Sequence, residues 1–407
     1  MGRINKRALL GRLQRIGQAS RADLAKSLGL SQPTAGKIAE ELLRLGILEE
    51  IDDEAGAQRG TGRGRDGKAR VGRPGRLMRL QRAEARFLAI QLGVSRTNLA
   101  ALPAGVDAED QWSVQFGTPR VAEAWVRQLK IAATKIPQNE FWGVLVSVPG
   151  IVDEPNGRVV FSPNLHWTES ADLISLVQQV WPAPVQLVQE ERALALGHQC
   201  FDSQDQDFLL VEFGEGVGGA AIVAGKLYTS ALPLNCELGH TPVLGNRRPC
   251  GCGATGCIET LVSRRGLLES FAGDRPRGQA TWRQFCLSLH AQVLPGWLAE
   301  TLDATGMVIA GTLNVLGLHR VIITGTLTEL PPSVLDHLSR AIVGGAMWAR
   351  FGNVEVESAP RRRAAGLVAV GIDRLVLPME ETLNQTGQSP AALTASQGGG
   401  GWPGYNK

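Results

Sequence analysis

No uninterrupted apolar run in the 407 residues reaches the roughly 18–20 residues that a membrane-spanning helix needs. The opening stretch, residues 1–15, carries Arg3, Lys6, Arg7, Arg12 and Arg15 where a signal peptide would show a discrete apolar core. The chain is therefore expected to be cytoplasmic and to make no use of a membrane. Cysteine is scarce, six in all, and in a reducing compartment six thiols are not read as disulfides. Three of them nevertheless crowd together at Cys250, Cys252 and Cys257, and that crowding points to metal. Charged residues amount to only 20% against 43% hydrophobic, which excludes wholesale disorder, while 49 glycines point to many turns and close backbone approaches. The length excludes a single small module, since domains average roughly 100–200 residues.

Net charge is also low, +3, but it is unevenly spread. Residues 1–80 hold 17 Lys+Arg against 9 Asp+Glu, net +8, whereas the remainder holds 25 against 30, net −5. One end is built to meet a polyanion and the other is not.

Within the basic end, Leu9, Leu10, Leu13 and Ile16 recur at helical spacing and predict a helix from Asn5 to Ile16, broken at Gly17 and Gln18. Ser20 is a plausible N-cap for a short helix through Leu24, Ala25 and Leu28, and Gly29 supplies the turn after it. Ser31 opens a third helix, with Pro33 in its first turn, Ile38, Leu42, Leu43 and Leu45 on its buried side and Gly46 at its end. Residues 47–51 and 76–80 can supply two strands of a wing. The Gly-, Arg- and Asp-rich stretch 52–75 between them is expected to be a flexible loop or an arm that orders on binding. The unit is a helix-turn-helix. If its third helix enters a major groove, Gln32, Thr34 and Lys37 meet base edges, with Ser31 and Arg21 on phosphates. In the arm, Arg73 within Gly72–Pro74 is slim enough to lie in a narrow minor groove, against the alternative of a solvated linker touching phosphates.

After Ala83 short β-branched runs alternate with helical patterns, which marks an α/β chain, and similar blocks in each half suggest a duplicated domain with a cleft between lobes. From Glu381 the composition turns to Gly, Ser, Gln and Pro, and a disordered tail over 381–407 is expected. Between these limits the sharpest signal is HTPVLGNRRPCGCGATGCIE, residues 240–259. Three thiolates and the imidazole of His240 make the ligand set of a closed tetrahedral zinc site, so one structural zinc per chain, on His240, Cys250, Cys252 and Cys257, is expected. The bland alternative is a loop of reduced cysteines.

ELGHTPV, CGCGATGCIE and VSVPGIVDEPNGRVVFSPNLHW, with the helix-turn-helix ahead of them, resemble the ROK family of sugar kinases and sugar-responsive repressors, in its repressor branch. The resemblance spans about Lys6 to Val376. It implies a two-lobed, actin-like and hexokinase-like α/β domain over about 84–380, preceded by a winged helix-turn-helix over 1–80. It also implies sugar contacts from Asn164, Glu237, His240 and Glu259, with Gln189 and Glu190 as two further readers.

Departures from the kinase pattern separate the branches. Where kinases carry Asn-Asp-Ala-Asn this chain has Gln189-Glu190-Glu191-Arg192, so the expected base is displaced by a methylene. Gln91 stands where a magnesium-organising acid is expected, and Glu215 stands where the second phosphate loop has Thr, with no evident cation nearby to offset it. The resemblance therefore implies a repressor and not an enzyme. Its partners would be a double-stranded DNA operator and a sugar or sugar-phosphate inducer, and its assembly a homodimer or homotetramer, because operator half-sites need paired helices. An active sugar kinase with an added DNA-binding head, and a repressor governed by a protein partner, are the alternatives.

Overall fold

The computed structural model describes residues 2–51, 76–137, 140–202, 204, 207–230, 232–234, 236–273, 280–289 and 294–378. The arm 52–75, Arg73 within it, and the tail 381–407 lie outside the described residues.

The basic end folds as three helices, α1 (Gly2–Ile16), α2 (Arg21–Ser27) and α3 (Gln32–Arg44). Ser20 and Ser31 cap α2 and α3 as their positions predict, each hydroxyl accepting from the backbone N–H three residues on, at 3.2 and 3.3 Å. Gly29 and Gly46 close the two turns at φ 63° and 70°, where a Cβ would be strained. Against the helices lies an antiparallel sheet in the order β1 (Gln18–Ser20), β3 (Leu77–Leu80), β2 (Leu48–Ile51). The outer strand β1 is unannounced by the sequence pattern: Gly17, at φ 81°, turns the chain out of α1, and only Ala19 of the three residues is buried.

The remainder is two five-stranded sheets. The first runs in the order β10-β7-β4-β5-β6, from β4 (Phe87–Leu92), β5 (Arg96–Leu102), β6 (Val114–Gly117), β7 (Gly143–Val148) and β10 (Val185–Gln189), with β8 (Ile151–Asp153) and β9 (Arg158–Phe161) as a separate hairpin. The second runs β13-β12-β11-β14-β15, from β11 (Phe208–Phe213), β12 (Val217–Val223), β13 (Lys226–Leu227), β14 (Arg320–Gly325) and β15 (Glu355–Ser358). The wiring is identical. In each the first strand is central, the next two pair antiparallel on one side, and two parallel crossover strands follow on the other. Gln91 and Glu212 thus occupy the same fifth position of equivalent central strands, at the carboxyl ends where α/β sheets bind ligands.

Two helices pack across the middle, Glu190–Phe201 and Arg363–Gly371, the latter continuing through one π-turn at Ile372–Val376. They meet backbone to backbone: a Cβ on Gly366 would stand 1.7 Å from the Ala193 carbonyl oxygen, and one on Gly197 1.8 Å from that of Arg362. Helix α1 docks on the far end of this pair. Leu9 and Leu13 share one core with Val368, Ile372 and Leu375, Arg7 forms a two-pronged ion pair with Asp373, and Gln14 donates to the Val106 carbonyl at 3.0 Å.

Candidate functional site

The facing carboxyl ends of the two sheets enclose a cleft of about 850 Å³. Asn164, Gln189, Glu190, Glu237, His240 and Glu259 all line it, although they come from four separate stretches of chain. Gln189 ends β10 and is 3% exposed; its backbone N–H donates to buried Glu154 at 3.0 Å and its side-chain amide to Glu237 at 3.4 Å. Burial, the larger effect, pushes the Glu237 carboxyl up, with His240 opposing it.

His240 joins this half of the cleft to the cysteine loop. Its Nδ1 lies 3.6 Å from Cys250 Sγ, Cys252 and Cys257 sulfurs are 3.7 Å apart, and all four ligand atoms fall within 4.8 Å of one another. A tetrahedron with metal–sulfur bonds of about 2.3 Å has edges of roughly 3.8 Å, so one metal ion fits the set. Gly253 and Gly256, at φ 89° and 88°, make the tight returns that aim the sulfurs inward. Without a cation, burial and the two neighbouring thiols push Cys257 up to about 12, which is the cost that a divalent ion would remove. With Nδ1 turned to the cysteines, Nε2 is the nitrogen left for a ligand.

The other half of the cleft is organised by arginines that sequence reasoning missed. Arg363, 2% exposed, holds Glu190 at 2.5 Å, Glu212 at 3.2 Å and Asp110 at 3.3 Å, and Arg361 holds Glu212 at 2.7 Å. Glu190 also accepts from Gln91 at 2.9 Å. It is therefore clamped, not projected freely toward a sugar, and Gln91 serves as one of its clamps. Asp110 is raised to about 6, by burial first and against the pull of Arg363. Beside the Gly-rich turn 214–216, Arg264 donates its backbone N–H to the Gly214 carbonyl at 2.9 Å, while its guanidinium stacks on Trp282 with 4.5 Å to the ring centre.

The turn itself is already filled by the chain's own acids. Glu259 accepts from the Val217 N–H at 2.9 Å, and a Cβ on Gly218 would stand 2.4 Å from Glu191 Oε1. A carboxylate thus lies flat on the glycine, and another consumes a backbone donor that a phosphate would want.

On the three-helix unit, Gln32, Thr34 and Lys37 are exposed along the first turns of α3. Ser31 is engaged in the cap and in a 2.8 Å hydrogen bond with the Thr34 hydroxyl, which leaves Thr34 its methyl group for outward contact. Arg21, expected on a phosphate, has its guanidinium paired with Glu40 at 3.4 Å and Glu50 at 3.2 Å at the surface.

The model of the ROK family matches residues 87–370, which is more than half of the chain. The chain belongs to the ROK family. Over 378 residues it is 25% identical to a xylose repressor of Caldicellulosiruptor bescii, covering 87% of this chain and 91% of that one. It is also 25% identical, over 374 residues, to the DNA-binding transcriptional dual regulator NagC of Escherichia coli, covering 87% and 88%. Among solved structures, a ROK transcriptional regulator homologous to the E. coli MLC protein superposes with a TM-score of 0.70 at 18% identity, over 93% of this chain and 98% of that one. A ROK glucokinase from Streptomyces griseus superposes at 0.57 with 22% identity, over 70% and 97%. The ROK fold explains why the arginine clamp escaped notice. Arg361 and Arg363 lie about 150 residues from Glu212 in sequence, and the one signal they give is the run of three arginines at 361–363.

Proposed function

We propose that the chain is a sugar-responsive transcriptional repressor: the three-helix unit binds a double-stranded operator and a sugar in the ROK cleft releases it. The observation that carries the reading is that a three-helix unit exposing Gln32, Thr34 and Lys37 shares a core with the helix whose first turn grips the cleft's acids, in a cleft where Glu259 lies on Gly216 and Glu191 on Gly218. Gln32 suits adenine and the Thr34 methyl suits thymine, so α3 sets the preferred sequence, and the +8 charge of residues 1–80 sets the affinity and its steep loss with salt. Arg73 is assigned to phosphates or a minor groove. Two half-sites require two copies, so the working form is a homodimer or homotetramer.

In the cleft, Asn164, Gln189, Glu237 and His240 Nε2 offer amide, carboxylate and imidazole partners to sugar hydroxyls, and zinc on His240, Cys250, Cys252 and Cys257 fixes the imidazole. The chain is not a kinase on this reading. Glu190 is held by Arg363 and Gln91 and so is not presented to a sugar hydroxyl, and the Val217 N–H beside the turn 214–216 is already given to Glu259.

The test begins by selecting an operator from random DNA with the full chain and following its affinity as sugars are added. Glu237→Ala should bind the operator as the unaltered chain does yet ignore the inducer; release at the same sugar concentration would overturn the site. Elemental analysis should find one zinc per chain, and Cys252→Ser should lose both the metal and the response. Less than about half a metal per chain would overturn the zinc site.

A further inference from the structure

Nine acidic residues and four arginines line the cleft, and the arginines are not evenly shared among the acids. Arg361 and Arg363 neutralise Glu190, Glu212 and Asp110. Among the described residues no arginine or lysine forms an ion pair with Glu191 or Glu237, both of which line the cleft. Glu191 presses against Gly218, and its Oε2 is shut off from solvent with no partner. Independently, the Gln189 side chain, on a residue 3% exposed, has an Oε1 that accepts no hydrogen bond, while its Nε2 is turned to Glu237. Two buried acceptors on the cleft wall thus stand unfilled, one of them a carboxylate, and both ask for N–H donors that the chain does not supply.

From this arrangement we infer that the cleft takes a sugar carrying a protonated amine, with its ammonium between Glu191 and Gln189. The inference rests on the sugar-effector reading above and narrows it. Burial, and then the neighbouring Glu190, push the Glu191 carboxyl well up, so its ionised form needs a cation beside it; a neutral sugar offers only hydroxyls, whereas an ammonium brings three donors and the opposite charge together. A bare divalent cation does not fit. Among the described residues the one grouping of His, Cys, Asp and Glu close enough to share an ion is the His240 cluster, and the cleft carboxylates form no such group. A sugar phosphate is disfavoured by the acid excess and by the Val217 N–H already given to Glu259. Glu191 stands where the kinase pattern has Ala, so this selectivity would be peculiar to chains that carry the acid.

Calorimetric titration of the full-length, zinc-loaded protein at neutral pH with matched sets tests it: glucosamine, glucose and N-acetylglucosamine, then the galacto and manno sets. At least one free amine should bind roughly 10–100-fold more tightly than its hydroxyl and N-acetyl counterparts, the span expected of a charge-assisted contact. The isosteric change Glu191→Gln, which removes the charge but keeps the shape, should bring that ratio close to one. If neutral sugars bind as well as the amines, the inference falls and the sugar-effector reading stands. If the preference survives Glu191→Gln, Glu191 is the wrong residue. If no sugar of any set binds, the sugar-effector reading falls with it. Should the variant fail to fold, the comparison of amine, hydroxyl and N-acetyl forms on the unaltered protein still decides.

Discussion

At the scale of single residues, the centre of the molecule is an ion network that no local pattern announces. Asp110 is one energetic weakness in it. Burial raises its carboxyl from 3.8 to about 6, so between those values the folded chain holds a proton that the unfolded chain has released. Stability from this group is fully present below about pH 4 and is lost as pH rises through 6, by an amount on the order of 3 kcal/mol. Asp110→Asn keeps an acceptor for the Ala364 N–H and removes the penalty. Urea unfolding at pH 7.5 should therefore find Asp110→Asn at least as stable as the unaltered chain, with the difference vanishing toward pH 4. A variant weaker by more than about 1 kcal/mol at pH 7.5 would show instead that Arg363 needs this third carboxylate. The sequence disclosed the cleft's acids one by one, at Glu190, Glu237 and Glu259, because each sits in a recognisable motif. It was silent on Asp110 and Arg363, which sit in none and acquire meaning only when the lobes fold together.

Among the elements, legibility followed length and periodicity. Helix α3 and the buried runs of β4, β7, β11 and β14 show their apolar pattern plainly, and Ser20 and Ser31 mark helix starts by a local capping rule. Strands β1, β8, β9 and β15 are three or four residues long with mixed burial, so they exist by pairing and not by pattern. The crossing of Glu190–Phe201 with Arg363–Gly371 is a further case: glycines at 197 and 366 look incidental in sequence, yet each is required by a carbonyl less than 2 Å from where its Cβ would be. Gly366→Ala should force the helices apart at a cost of about 3 kcal/mol or more, since neither contact is with a flexible side chain. Thermal unfolding checks this. A melting temperature lowered by less than about 2 °C would mean that the pair separates easily.

For the whole molecule, the same C-terminal helix connects the two functions. From Arg363 to Val376 it covers roughly 20 Å at helical rise. Its first turn grips acids of both lobes through Arg363; further along, Arg374 pairs at 2.7 Å with Glu154, which also holds the Gln189 backbone; and Asp373 receives Arg7 of α1. A ligand that draws the lobes together must move this helix or break the clamp, and Leu9 and Leu13 carry the motion into the DNA-binding unit. The Asp373–Arg7 pair is partly exposed, so its removal should cost little stability and the variant should fold. Asp373→Ala is accordingly expected to bind operator and sugar separately much as the unaltered chain does, while the factor by which sugar weakens operator binding shrinks. Coupling free energies are typically 1–3 kcal/mol, and a loss of about 1 kcal/mol would be read as a roughly fivefold smaller factor. Anisotropy titrations of labelled operator with and without saturating sugar give that factor directly. Because coupling is reciprocal, operator must weaken sugar binding by the same factor in each protein, which supplies an internal check. An unchanged factor in Asp373→Ala would place the route elsewhere, through α1 and Val106 or through the contact between copies.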